Sequence, residues 1–151
     1  MTSAVDDMPK GIIAQRMEDG APVILKLVNE LPEDAVRGDL PWLAVLSWKY
    51  DGSSRNGFPV EADLGRMMRL EKAIEDSVEA KGVLRHAYSR TGNNLKELVY
   101  YIRDRNDFLG RLNAALRGHE RYPIEINFYD DAQWKDFRMI LDGIARAEEA
   151  S

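Results

Sequence analysis

Apolar and polar residues alternate with a period of two from position 40 to position 50. Trp42, Ala44, Leu46, Trp48 and Tyr50 fall on one side, and Leu43, Val45, Ser47 and Lys49 on the other. Apolar residues on both sides at the start predict a central strand covered on both faces. The period then changes. Leu64, Met67, Met68, Leu70, Ile74 and Val78 recur at helical spacing and predict a helix over 61–81, with Gly82 where a C-terminal cap belongs.

The same reading covers the rest of the chain. Apolar runs at 12–17 and 23–28 flank Glu18-Asp19-Gly20-Ala21-Pro22, a hairpin signal. The stretch 31–39, with Pro32 and Gly38, reads as a connecting loop. Strands are predicted at 83–89, where Leu84, His86 and Tyr88 share a face, and at 95–102, paired through Thr91-Gly92-Asn93-Asn94. A second helix at 106–117, capped by Asn106 or Asp107, buries Phe108, Leu109, Leu112, Ala115 and Leu116 and ends at Gly118. Ile124, Ile126 and Phe128 alternate in a last strand at 123–129. Asp130-Asp131 then caps a final helix with Trp134, Phe137, Leu141 and Ile144 on one side.

From position 40 onward the order is strand, helix, strand, strand, helix, strand. That order predicts an α+β, ferredoxin-like (split βαβ) antiparallel sheet, with an N-terminal β-hairpin and an extra C-terminal helix. Both internal helices should lie on one sheet face and bury Leu70, Ile74, Phe108 and Leu112. Residues 1–9 are expected to be a disordered N-terminus, and 10–148 one α+β domain, as suits a chain of 151 residues.

Composition narrows the chemistry. Hydrophobic residues make up 44% and charged residues 31%, a balance that folds without staples. With no cysteine, disulfides and thiolate metal sites are excluded. No signal peptide or spanning apolar run is visible, so a cytoplasmic protein is expected. Net charge is −5, which disfavours nucleic acid as a partner. The segment 82–116 nevertheless carries a net +3 through Arg85, Arg90, Lys96, Arg103, Arg105 and Arg111, leaving −8 elsewhere. It reads either as a docking face or as ordinary solvated strand and helix flanks.

Catalytic patterns are thin. The two histidines, His86 and His119, lack paired-ligand spacing, so no metal site or cofactor is expected. His86 reads as a packed strand residue rather than a base. Asp130-Asp131 is better explained by helix capping than by a cation. The chain has no nucleophile elbow and no phosphate loop, so no catalytic residue is assigned.

The run 122–137, YPIEINFYDDAQWKDF, resembles the closing segment of a bacterial family, domain of unknown function 695. WLAVLSWKY at 42–50 and the Tyr100-Tyr101 strand are similar to other parts of it, and the resemblance spans about residues 10–140. It implies no activity, because the family has none established. Members are sometimes joined to a domain similar to the protein regulator of ribonuclease E, itself ferredoxin-like, and no such extra domain is recognised in this sequence.

Two functions are therefore expected to compete. One is a non-enzymatic protein-binding domain, immunity-like or inhibitor-like, that modulates a bacterial protein such as a toxin or nuclease. Its contacts are expected on the long 51–58 loop and neighbouring strand ends, at Trp48, Tyr50, Arg55 and Phe58. The other is a small hydrolase or small-ligand-binding protein with an Arg/Tyr/carboxylate pocket. A deep cleft with coupled acids favours the enzyme, and a flat aromatic patch favours the protein partner.

Overall fold

The computed structural model describes residues 11–77 and 82–150. The expected terminus at 1–9 and the stripe residue Val78 lie outside them. β1 (Gly11–Glu18) and β2 (Ala21–Val28) form the N-terminal hairpin. Its two turn residues, Asp19 and Gly20, are left-handed at φ 51° and 79°, the handedness that matches the twist of paired strands. The stretch expected to be only loop holds a short helix, α1 (Asp34–Asp39). Arg37 steadies it by bonding Pro32 O and Asp34, contacts that no hydrophobic periodicity announces.

β3 (Trp42–Lys49), α2 (Glu61–Ser77), β4 (Leu84–Gly92), β5 (Leu95–Ile102), α3 (Arg105–Ala115), β6 (Ile124–Asp130) and α4 (Lys135–Ala150) follow. The described residues thus form an α+β structure with four helices and one six-stranded sheet, ordered β1-β2-β4-β5-β3-β6. Every neighbouring pair is antiparallel. β5 lies between β3 and β4, although α2 joins those two in sequence. In the same way β3 lies between β5 and β6, which α3 connects. No helix among the described residues is long and apolar enough to cross a membrane.

Both sheet faces are covered. On the first, α2 and α3 bury Met67, Leu70, Ile74, Phe108 and Leu112 against Ala44, Leu46, Trp48, Leu98 and Tyr100. The two internal helices therefore share a face, as expected. Asp104, rather than Asn106 or Asp107, caps α3. Its carboxylate accepts from the backbone N–H of Asp107 at 2.7 Å, so the two expected caps lie inside the first turn. On the second face, α4 brings Trp134, Phe137 and Ile144 onto Leu25, Leu27, Leu43, Val99 and Tyr101.

One irregularity changes which residues share a face. The β4–β5 register shifts between His86 and Tyr88, so that His86 pairs with Tyr100 but Tyr88 with Val99. Such a bulge inserts one residue and reverses the alternation beyond it. Leu84 and His86 keep to the first face, and Tyr88 and Arg90 pass to the second. The expected common face of Leu84, His86 and Tyr88 is thereby corrected.

α4 is held at its start by a dense node. Tyr101 and Trp134, both fully buried, stack at 3.8 Å and 7°. The Trp134 Nε1–H donates to Leu40 O at 3.0 Å. Removing that ring should leave a large void and an unpaired carbonyl. Trp134→Ala is expected to destabilise the fold by about 3–5 kcal/mol in urea unfolding. A loss below about 1 kcal/mol would mean that α4 contributes little to the second layer.

Candidate functional site

α4 crosses only part of the second face. It packs with Leu25, Tyr88 and Tyr101 but leaves a stretch over β3, β5 and β6 open beside its first turns. A groove of about 510 Å³ results. Val45, Val99 and Ser47 form its floor, with Tyr129 and Met139 standing at its sides. Met139 is 71% exposed and Tyr129 52%, unusual values for large apolar residues flanking a groove. Glu97, Asp130 and Asp136 supply carboxylates, and Lys135 is the cation among the lining residues.

Asp131 and Asp136 are positioned by hydrogen bonds to the two buried tyrosines. Asp131 holds the start of α4. Its carboxylate accepts from the Tyr101 hydroxyl at 2.6 Å and from the backbone N–H groups of Lys135 and Asp136 at 2.8 and 3.1 Å. The pair Asp130-Asp131 is thus engaged in capping through Asp131, as its place before a helix suggests. Asp136 in turn accepts from the Tyr88 hydroxyl at 2.7 Å. Burial, then the Asp136 charge and hydrogen bond, push the Tyr88 hydroxyl far above its ordinary range, so it stays a donor.

Glu97, on β5, is a carboxyl perturbed by its surroundings. Burial raises its pKa above the ordinary value, Arg90 opposes this, and the charges of Glu18 and Asp136 add to the rise. The guanidinium of Arg90, 3.9 Å from the Glu97 carboxylate, is itself almost fully buried. It donates to the Glu18 carboxylate at 2.9 and 3.1 Å and to Gly92 O and Leu95 O at 3.1 and 2.8 Å. Burial alone would raise Glu18, but hydrogen bonds and charge from Arg90 and Arg16 hold its pKa below the usual carboxylate range. Arg90 therefore ties the N-terminal hairpin to the β4–β5 turn.

The basic segment 82–116 does not converge on one surface. Arg90 lies on the second face, while Lys96 is buried on the first, 3.4 Å from Glu71 and donating to Thr91 Oγ1 at 3.0 Å. Arg103 and Arg111 both pair with Asp107, and Arg105 sits 4.3 Å over the Trp42 ring.

The four residues expected to contact a partner lie at the opposite end of β3. Trp48 is only 3% exposed, packed against Tyr122 at 5.6 Å with Arg66 5.1 Å above its ring. The Tyr50 hydroxyl donates to Gly57 O at 2.7 Å. Phe58 is half-buried and Arg55 exposed. The loop carrying them is tied to the β4–β5 turn, for Asn94 exchanges bonds with Gly52, Gly57 and Tyr50. The groove residues escaped sequence reasoning because they come from five separate elements. Only Glu97, a charged residue inside an apolar strand, offered a local signal.

A second groove of about 500 Å³ runs between β1 and α4, lined by Ile12, Ala14, Leu25, Ile140, Ile144 and Ala147 among others. It is larger in apolar character but lies away from the titratable cluster. His86 belongs to neither groove. Its ring meets Tyr100 edge-on at 5.3 Å, on the α2 side of the sheet.

Burial first, and the Lys96 charge second, lower the His86 pKa from 6.5 to about 4. The unfolded chain takes up this proton near pH 6.5 and the folded one only near 4. The contribution is thus complete above pH 6.5 and is lost as pH falls toward 4. The urea midpoint of His86→Phe should decline less across that window than that of the unsubstituted protein. Parallel declines would show that His86 takes no part in the acid sensitivity.

The model of a family of unknown function, DUF695, matches residues 14–141. No curated protein and no solved structure matches the chain. The matched span takes in the groove over β3, β5 and β6, the Arg90–Glu18 tie and the Asp131 cap, and only part of the groove between β1 and α4. On that match, the chain belongs to the DUF695 family.

Proposed function

We propose that this chain is a non-enzymatic protein-binding module that modulates or inhibits a partner by docking one of its basic segments in the groove beside α4. The observation that carries this reading is the pairing of an apolar floor with carboxylate walls: Val45 and Val99 below, Glu97, Asp130 and Asp136 around them. A lysine or arginine side chain fits both, with an aliphatic stem for the valines and N–H donors for the carboxylates. The net charge of −5 adds steering toward a basic protein, such as a toxin or nuclease. Docking is assigned to the groove rather than the 51–58 loop because the Trp48 ring is buried and the Tyr50 hydroxyl is engaged by Gly57.

The proposal extends to the fold. We read β3 to β6 as a ferredoxin-like unit, with the β1–β2 hairpin added beside β4 and α4 added on the second face. The sheet order β4-β5-β3-β6 and the shared face of α2 and α3 support it.

One observation favours the alternative of a small hydrolase or small-ligand binder. Glu97 is raised in part by Asp136, which also holds the Tyr88 hydroxyl, so acids are coupled in an open groove. Against it, His86 lies on the other sheet face and His119 Nδ1 bonds the Tyr122 hydroxyl at 2.8 Å, so neither histidine meets these acids.

Fluorescence anisotropy with labelled Arg- and Lys-rich amphipathic peptides separates the two. Binding should weaken with salt and fall roughly tenfold, or ~1.4 kcal/mol, in the double variant Glu97→Gln/Asp136→Asn. Met139→Ala should weaken it further without changing the melting temperature. Affinity that ignores these substitutions would remove the groove from the reading. Turnover of a small ester or phosphoester that Glu97→Gln abolishes in a folded protein would replace it with the alternative.

A further inference from the structure

We propose that β1 pairs antiparallel with β1 of a second copy, joining two six-stranded sheets into one across a two-fold axis at Gln15. This inference is independent of the groove beside α4.

β1 is an edge. It pairs with β2 along its whole length, from Gly11 opposite Val28 to Glu18 opposite Ala21, and no described strand lies on its other side. The two-residue turn sets the phase of the ladder. Glu18 and Ala21 flank that turn and exchange hydrogen bonds, so the alternation turns the N–H and C=O groups of Ile13, Gln15 and Met17 outward. Soluble proteins guard such edges with proline, lysine or a bulge. β1 has none of these, for its sequence is GIIAQRME and its register with β2 is unbroken.

The side chains name the occupant. On the first face Ile13 is 70% exposed and Met17 61%, two residues either side of Gln15. An axis at Gln15 sets Ile13 of each copy opposite Met17 of the other, covering all four side chains at once. On the second face Ala14 then stands opposite Arg16 of the second copy. Alanine leaves room for the arginine stem, and the apolar groove between β1 and α4 opens beside it. An axis one residue earlier, at Ala14, sets Ile13 against Gln15 and Gly11 against Met17, and loses both apolar pairs. Self-complementarity in one register, with the outward backbone groups in phase, is what an isologous two-fold contact requires.

Sedimentation equilibrium of the intact chain tests this directly. The protein should be dimeric at high concentration and dissociate on dilution. Gln15→Pro removes an outward N–H while sparing the β1–β2 ladder, and should give a monomer. Ile13→Lys, at a site already exposed, should do the same with an unchanged melting temperature, and serves if the proline variant fails to fold. The chain has no cysteine, so Gln15→Cys is a single-thiol probe. Under mild oxidation it should form a disulfide-linked dimer faster than Glu30→Cys. A chain that stays monomeric throughout would overturn the proposal. So would a dimer indifferent to both edge substitutions, or equal cross-linking of the two cysteine variants.

Discussion

The carboxylate of Asp131 fixes where the last helix begins, and the second face of the sheet depends on that placement. It holds two backbone N–H groups of α4 and the hydroxyl of Tyr101, a residue with no exposed surface in the centre of the sheet. The backbone N–H of Asp131 donates to Pro41 O at 3.0 Å, so the turn is also tied to the residue before β3. Between cap and helix, Trp134 takes φ 56°, a left-handed conformation that a bulky residue adopts only when its surroundings enforce it. The stack on Tyr101, the bond to Leu40 O and full burial of the indole provide that enforcement. A helix end that is normally free to fray is here held by hydrogen bonds and a ring stack.

From this anchor follow both unoccupied surfaces. α4 starts above the β3–β6 side and runs toward β1, so it leaves a wedge of sheet open near its start and an apolar furrow under its far half. The open wedge collects charge from β5, β6 and the start of α4, and of the buried cations Arg90 lies 3.9 Å from Glu97 at its margin while Lys96 pairs with Glu71 on the other face. Arg90 matters doubly. By engaging Glu18 and the β4–β5 turn it neutralises one acid beside Glu97 and fastens the hairpin whose outer strand forms the sheet's edge.

The bulge at Ala87 distributes chemistry between the faces. Without it, Tyr88 would share the α2 side with His86 and could not reach Asp136. With it, the hydroxyl meets the carboxylate at 2.7 Å while the histidine stays under α2, its charge disfavoured by burial and by Lys96. One inserted residue therefore separates a proton-holding phenol and an acid cluster from the one strand histidine.

Element order and the burial of Leu70, Ile74, Phe108 and Leu112 were legible in the sequence, because a period of 2 or 3.6 is a local property that the chain carries by itself. So were both hairpin turns, where Asp19-Gly20 and Asn93-Asn94 accept left-handed conformations at small cost. The helix α1, the Asp104 cap and the bulge were not, since each depends on hydrogen bonds or a register that no periodicity encodes. The groove was beyond reach for the same reason. Val45, Glu97, Tyr129 and Asp136 lie on four elements, and only the packing of α4 decides that they stay uncovered together. Trp48 illustrates the opposite limit: alternation gave its face correctly, but the covering of that face by α2 and Tyr122 decided that its ring is core rather than surface. Sequence determines which side of a strand a residue takes. Tertiary structure decides what, if anything, lies over it, because cover comes from residues far away in the chain.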